Sequence, residues 1–419
     1  MDCRRSSLFN PHRFNWRRGL EVLNVCFVTP EYFPISGGTG AYVYYLSHSL
    51  QKLGHTVHVV ARHSEDSEDM IDGINVHYIK GAGNVLTRYW RFARSASKKI
   101  EELNKQIGFD VIHANLPLVP SFAIPKDSAK ALVCAVHSTW KGEAIVTRQS
   151  NPKELNPNEK MMLRFNRLLR SYEKKLMKRS DALIAVSNYT VGELTELYGI
   201  EEEKIHVIYN GVDINKFKPR PDRAELRREF GLEEEKKVVL FVGRLYHRKG
   251  LEILLSSIPP VIQEFGDVKF AISGTGFKKK EQSLRDLAKE LNIKDQVTFL
   301  GYVPDEKLPD LYSASDIFVL PAIYENFPFA ILEAQATGLP VISTKVGGIP
   351  EFLTDNENGF LIDPGDPAQL TQRMLTLLQD PKLAKEMGRR GRILIEEKFS
   401  WRLITGQVID LYHKLLETA

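Results

Sequence analysis

One unit recurs along this chain and limits what it can become: a near-continuous apolar run, a glycine-rich turn, then apolar residues at helical spacing. The first copy is Val22–Thr29 (V-L-N-V-C-F-V-T), a turn holding Gly37, Gly38 and Gly40, and a helical stretch Ala41–Leu53. Gly54 ends that helix, and Thr56–Ala61 returns as a strand. Runs this apolar suit strands buried on both faces, as in a parallel sheet covered by helices. Asp110–His113, Ala131–His137, Asp181–Ser187 and Ile205–Tyr209 continue the series. A turn at Asn210-Gly211-Val212-Asp213 and a linker through Lys218–Pro221 interrupt it. It then restarts with Lys237–Val242, Val268–Ser273, Val297–Leu300, Ile317–Leu320 and Pro340–Thr344. In a chain of 419 residues, that restart predicts an α/β protein of two doubly wound, Rossmann-like domains, 21–212 and 213–400.

Ligands of such sheets gather outside the carboxyl ends of the strands, so residues just past each strand are the candidates for function. Gly37 and Gly38 would let a ligand approach the backbone; a tight strand-to-helix turn is the plainer reading. The spacing is not G-x-G-x-x-G, so a dinucleotide site is not supported. His113 and His137 each close an expected strand, a place where a histidine is either structural or ligand-facing. Past Lys237–Val242 comes G-R-L-Y-H-R-K-G. Arg244 and Lys249, at a strand end and a helix start, suit a phosphate clamp, Arg gripping oxygens bidentately and Lys acting as a point charge. Solvated surface cations are the alternative.

Past Ile317–Leu320 the chain reads E-N-F-P-F-A-I-L-E, with Glu325 in a turn and Glu333 eight residues on, inside a helix. The helix start at Phe329 and Ala330 offers unpaired N–H groups to an anion. The two carboxylates could meet opposite ends of a long ligand, although glutamates in turns and on helices are commonly solvated. Gly347–Glu351 reads as a turn with a structural Glu351.

Net charge is +4 but uneven: residues 1–212 carry 28 Lys and Arg against 22 Asp and Glu, and the remainder 29 against 31. A mildly basic first half suits an anionic partner such as a membrane surface or a phosphorylated acceptor. It does not argue for nucleic acid, and no recognition motif for one is present. Residues 1–20 are an Arg-rich leader with interspersed aromatics, read as flexible or, more sharply, as a membrane-surface anchor. Arg88–Arg94 and the basic amphipathic helix 159–179, with Met162, Phe165, Leu168, Leu169, Tyr172 and Leu176 on one side, carry the same pair of readings. Cys3, Cys26 and Cys134 show no metal-ligand spacing, and so sparse a set predicts a reducing, cytoplasmic setting. No apolar run is long enough to span a bilayer.

Together these motifs resemble glycosyltransferase family 4, the retaining nucleotide-sugar transferases of GT-B fold, from about Val22 to the C-terminus. E-x7-E matches Glu325 and Glu333, G-R-L…K-G matches Arg244 and Lys249, and N-G-V-D matches the family's domain junction. The resemblance implies two Rossmann-like domains facing across a cleft, the final helix (401–419) crossing back to the first. It implies hexose transfer from a nucleoside-diphosphate sugar, GDP-mannose or a UDP-hexose, to a hydroxyl on a glycan, lipid-linked or small-molecule acceptor. Gly37 and Gly38 would face the donor's phosphate and sugar, and His137 the sugar near the reaction centre. Arg244 and Lys249 would hold the diphosphate, with no metal or other cofactor needed. The turn at Val303 would hold the nucleobase. Glu325 would bind sugar hydroxyls, Glu333 ribose hydroxyls, and the backbone of Phe327, Phe329 and Ala330 would donate to the ligand. Pro328 stands where many members have Gly and offers no N–H. Ile35 and Ser36 stand where polymer synthases carry lysine, which discounts that activity. A nucleotide-sugar epimerase and a catalytically silent partner subunit are the other readings of the same fold.

Overall fold

The computed structural model describes residues 21–35, 37–81 and 85–418; the basic leader 1–20 and Ser36 lie outside them. Two sheets form. The first contains β1 (Asn24–Val28), β2 (Thr56–His63), β3 (Ser67–Ile71), β4 (Ile74–Lys80), β5 (Val111–Leu116), β6 (Ala131–Val136), β7 (Ala182–Ala185) and β8 (Ile205–Val207). Their order is β3-β4-β2-β1-β5-β6-β7-β8, parallel except where β3 pairs with β4. The second contains β9 (Lys237–Val242), β10 (Val268–Ser273), β11 (Val297–Gly301), β12 (Ile317–Leu320), β13 (Val341–Thr344) and β14 (Phe360–Ile362). Its order is β11-β10-β9-β12-β13-β14.

In both sheets the strand order reverses beside the first strand, between β1 and β5 and between β9 and β12. Successive crossover connections run to opposite sides there, which opens a crevice at the carboxyl ends. The Gly37 turn follows β1, the Arg244 turn follows β9, and the Glu325 turn follows β12. The topology therefore delivers all three to the two crevices. The central strands earn their positions by composition: β5, β6, β7 and β12 are buried at nearly every residue.

The chain passes twice between the halves at one place. Val212 bridges Ser400, with Val212 N donating to Phe399 O at 2.8 Å and Trp401 N to Val212 O at 3.2 Å. The helix Trp401–Thr418 then packs Trp401, Ile404, Val408, Ile409, Leu411 and Tyr412 into the core of the first sheet.

Several boundaries differ from the sequence reading. The first helix runs Gly38–Lys52, so Gly38 and Gly40 lie in its opening turn and Gly37 is its N-cap. β5 continues to Leu116, which leaves His113 in mid-strand and fully buried, its Nδ1 against the Tyr412 hydroxyl. His113 is a core residue; its position at a strand end was an error of boundary. Cys26 and Cys134 are buried thiols of the core. The basic helix begins earlier, at Pro157, under an Asn156–Glu159 capping box, and kinks at Phe165. Met162, Leu169 and Leu176 are buried as expected, but Leu168 is 41% exposed, outside the buried stripe that also takes in Asn166 and Glu173. Arg164, Arg167, Lys175 and Lys178 face solvent. No helix among the described residues is long and apolar enough to cross a membrane.

Candidate active site

Between the two sheets lies a cavity of about 500 Å³, lined from both halves. The sequence-derived candidates Gly37, Gly38, His137, Arg244, Lys249, Val303, Glu325, Phe327, Phe329, Ala330 and Glu333 all border it. Residues separated by up to about 300 positions are thus brought to one surface.

The glycine turn meets the second half directly. Arg244 Nη2 donates to Glu31 Oε1 at 3.1 Å across the cleft. A Cβ on Gly37 would overlap Arg244 Nη2, and one on Gly38 would rest 3.6 Å from the Phe329 ring. A side chain at position 37 would therefore require the guanidinium to shift. The negative charge of Glu31 raises the Arg244 pKa and holds the side chain cationic, against the pull of burial.

Lys249 closes the tight turn His247–Lys249 before the helix Leu251–Glu264. Its ammonium ion-pairs with Glu325, whose side chain is only 8% exposed. Burial lowers the Lys249 pKa, while Glu325 works in the opposite direction. The Glu325 turn is braced by a second turn packed beneath it. Gly348 N donates to Asn326 O at 3.0 Å. Gly347 has φ +56° and leaves no room for a Cβ beside the Glu325 carbonyl.

The helix after Glu325 runs Phe329–Ala336, with Pro328 in extended conformation at its N-cap. No side chain caps it, so its first N–H groups point at the cavity edge unpaired by a cap. Asn210, at the junction between the halves, donates to Phe327 O at 2.8 Å; that carbonyl is engaged in holding the turn. Glu333 is 8% exposed and accepts from the Tyr312 hydroxyl at 2.8 Å. Burial pushes its pKa up to about 7, with the Tyr312 hydrogen bond opposing. Neither glutamate is the solvated residue that turn and helix positions usually carry.

His137 sits just past β6, half-buried, its ring 4.6 Å from that of Tyr42. Asn115 turns its amide nitrogen toward Val28 O and His113 O, so its Oδ1, 3.1 Å from His137 Nε2, accepts. That assigns the proton to Nε2 and leaves Nδ1 as an acceptor. Burial lowers the pKa to about 3, so the ring is neutral across ordinary pH.

Two family models match the chain in succession, Glycosyltransferase Family 4 over residues 36–216 and Glycosyl transferases group 1 over residues 222–393. The chain belongs to glycosyltransferase family 4. An uncharacterized glycosyltransferase of Methanocaldococcus jannaschii is 28% identical over 94% of this chain and 99% of its own length. A D-inositol 3-phosphate glycosyltransferase of Segniliparus rotundus is 32% identical over 58% of this chain, which spans only 54% of that relative. Among solved structures, sucrose-phosphate synthase of Thermosynechococcus elongatus superposes with TM-score 0.79 at 22% identity, covering 95% of this chain and 100% of its own. Anabaena HepE superposes at 0.73 and 22% identity, covering 94% and 100%. The fold of this family 4 glycosyltransferase is GT-B.

Two cleft residues of this glycosyltransferase, Glu31 and Arg248, and the core residue Tyr312 escaped the sequence reading. Glu31 stands beside the glycine turn, and a carboxylate just past the first strand was the available signal. Arg248 lines the cavity; burial opposes its charge, but Glu143 and Glu325 raise its pKa on balance. Its position beside Lys249 was signal enough. Tyr312, which bonds Glu333, could not have been found from its surroundings in sequence.

Proposed function

We propose that this glycosyltransferase moves a hexose from a nucleoside-diphosphate sugar to an acceptor hydroxyl, retaining the anomeric configuration. The observation that carries this reading is the meeting of Arg244 and Lys249, from one switch point, with the uncapped helix start at Phe329 and Ala330 from its neighbour. Two cations and a set of backbone donors in one half-enclosed cleft suit a diphosphate. HepE, which shares the fold, was solved with UDP-glucose, and this supports a nucleotide-sugar as the donor.

On this reading the bond between the anomeric carbon and the β-phosphate oxygen breaks while the acceptor oxygen bonds that carbon on the same face. The departing phosphate oxygen takes the acceptor's proton, so no side chain need act as general base. Arg244 and Lys249 stabilise the charge gathering on the diphosphate, in place of a metal. Glu325, which pairs with Lys249 before ligand arrives, accepts from sugar hydroxyls. Glu333 accepts from the ribose hydroxyls, and the turn at Val303 borders the base. His137, neutral and with Nδ1 as acceptor, positions the sugar and carries no proton in the reaction. The acceptor is a glycan, lipid-linked or small polyhydroxy compound. The outward basic face of the helix Pro157–Arg179 is a surface for anionic lipid, a proposal that sedimentation with anionic liposomes at low salt decides.

A thermal-shift panel of UDP, GDP, ADP and their hexose derivatives, run with EDTA, tests the donor assignment. One nucleotide class is expected to raise the melting temperature, and Lys249→Ala is expected to abolish that rise. An equal rise in Lys249→Ala would remove the diphosphate role from this residue.

A further inference from the structure

The acceptor wall of the cleft contains two arginines that the donor assignment does not use. Arg62 lies at the carboxyl end of β2, and Arg88 in the first turn of the helix Val85–Ile107. Both line the cavity. Both are partly withdrawn from solvent. They are close enough for Arg88 to depress the Arg62 pKa, a smaller effect than burial in the same direction. Neither has an ion-pair or hydrogen-bond partner among the described residues. The carboxylate that acts on Arg62, Glu31, is already hydrogen-bonded to Arg244.

This arrangement is unfavourable as it stands. Two like charges share a partly desolvated wall. A cation in a helix's opening turn also opposes the helix dipole, and that turn holds no acidic residue. The Arg62 stem is laid against Gly81, where a Cβ would collide with its Cγ and Cδ. The side chain is therefore seated in a groove of the backbone and does not sweep through solvent. An anion between the two guanidinium groups would relieve the repulsion, satisfy the helix start and receive planar, bidentate hydrogen bonds.

We propose that Arg62 and Arg88 form an acceptor subsite for a phosphate group, so that the acceptor is a phosphate-bearing polyol. The proposal rests on the transferase reading for the word acceptor, but the phosphate site itself does not depend on it. The phosphate is either that of a soluble sugar or polyol ester or that of a lipid headgroup.

The test uses the full chain, saturated with UDP to occupy the donor cations. Titration calorimetry with inorganic phosphate, glucose 6-phosphate and glucose is run on wild type, Arg62→Gln and Arg88→Gln. Flotation with vesicles of phosphatidylcholine, with and without phosphatidylglycerol, is run on the same proteins. The expected result is binding of phosphate and the phosphate ester, not glucose, weakened about tenfold or more in each variant. Flotation on the anionic vesicles alone, lost in both variants, would place the phosphate on a lipid and also supports the site. Equal phosphate affinity and equal flotation in wild type and both variants would overturn it. So would a loss of UDP affinity in the variants, since the arginines would then serve the donor. If UDP binds none of these proteins, GDP takes its place; failure of both removes the donor reading by itself, while the phosphate comparison still decides the arginine pair.

Discussion

Gly37 shows how a single residue can be fixed by something more than 200 positions away. Arg244 fills the space a side chain would need, so Gly37→Ala has to push the guanidinium off its place at the proposed diphosphate site. Transfer is expected to fall on the order of 100-fold, the usual consequence of misplacing a charge by about 1 Å. The melting temperature should move little, because φ at this position is not in the left-handed region. Glu333 makes a prediction of a different kind. Its pKa of about 7 in the folded chain lies above the ordinary carboxylate value of 4.5. A raised carboxylate pKa means that the native state binds the proton more tightly. Its contribution to stability is therefore complete below about pH 4.5 and is lost as pH rises through 7. Glu333→Gln should raise stability at pH 8 by up to about 3 kcal/mol and leave it unchanged at pH 4, as read by denaturant melts. His137→Ala should lower kcat more than it raises KM. The variant should keep the wild-type shape of the pH–rate profile near pH 6.5, since the His137 imidazole is already neutral there.

At the scale of elements, the turn that carries Glu325 stands on the turn that carries Gly347. A Cβ at Gly347 would strike the Glu325 carbonyl, and its φ of +56° already disfavours any other residue. Gly347→Ala is expected to match Glu325→Ala in lost transfer while costing roughly 1–2 kcal/mol in stability beyond it; paired activity and urea measurements separate the two. This element also marks where sequence reasoning stopped. The strands were legible because burial on both faces forces a continuous apolar run, and β9, β10 and β12 fall where the runs do. Arg244, Lys249, Glu325 and Glu333 were legible as types at spacings. Their mutual geometry was not. That Lys249 neutralises Glu325 depends on β9 and β12 being neighbours in the sheet, a long-range pairing. The turn from Gly347 to Glu351 was read as a simple connection because its work is done through backbone contacts. Glu351, read as structural, accepts from Asn188 N at 2.9 Å and Tyr189 N at 3.0 Å in the opening turn of a helix of the other half.

At the scale of the molecule, the halves touch through more than the cleft. Glu193 of the first accepts from the Tyr324 hydroxyl at 3.0 Å and from Asn326 Nδ2 at 3.0 Å of the second. Lys280 pairs with Glu154 across the gap at 2.7 Å. Burial pushes the Glu193 pKa up to about 6, and its bonds to Asn326 and Tyr324 oppose the rise. Part of the cover over this group, Tyr324 and Asn326, comes from the other half. Closure therefore keeps this contribution below about pH 4.5 and loses it as pH rises through 6. Glu193→Gln should shift the balance toward the closed form at pH 7.5, visible as a smaller radius of gyration in solution scattering. At pH 4.5 variant and wild type should coincide.

The double passage at Val212 and Ser400 has a consequence for how the protein is made. The core of the first sheet includes Trp401, Ile404 and Tyr412, which leave the ribosome only after the whole of the second sheet. Domains ordinarily mature in the order of their synthesis. Here the later one can be complete while the earlier one still has an open flank where its last helix will lie. A nascent chain arrested just past Phe399 and outside the exit tunnel should protect residues 237–362 from protease and leave the first sheet cleavable. The protein is translated from one end and finished from the other.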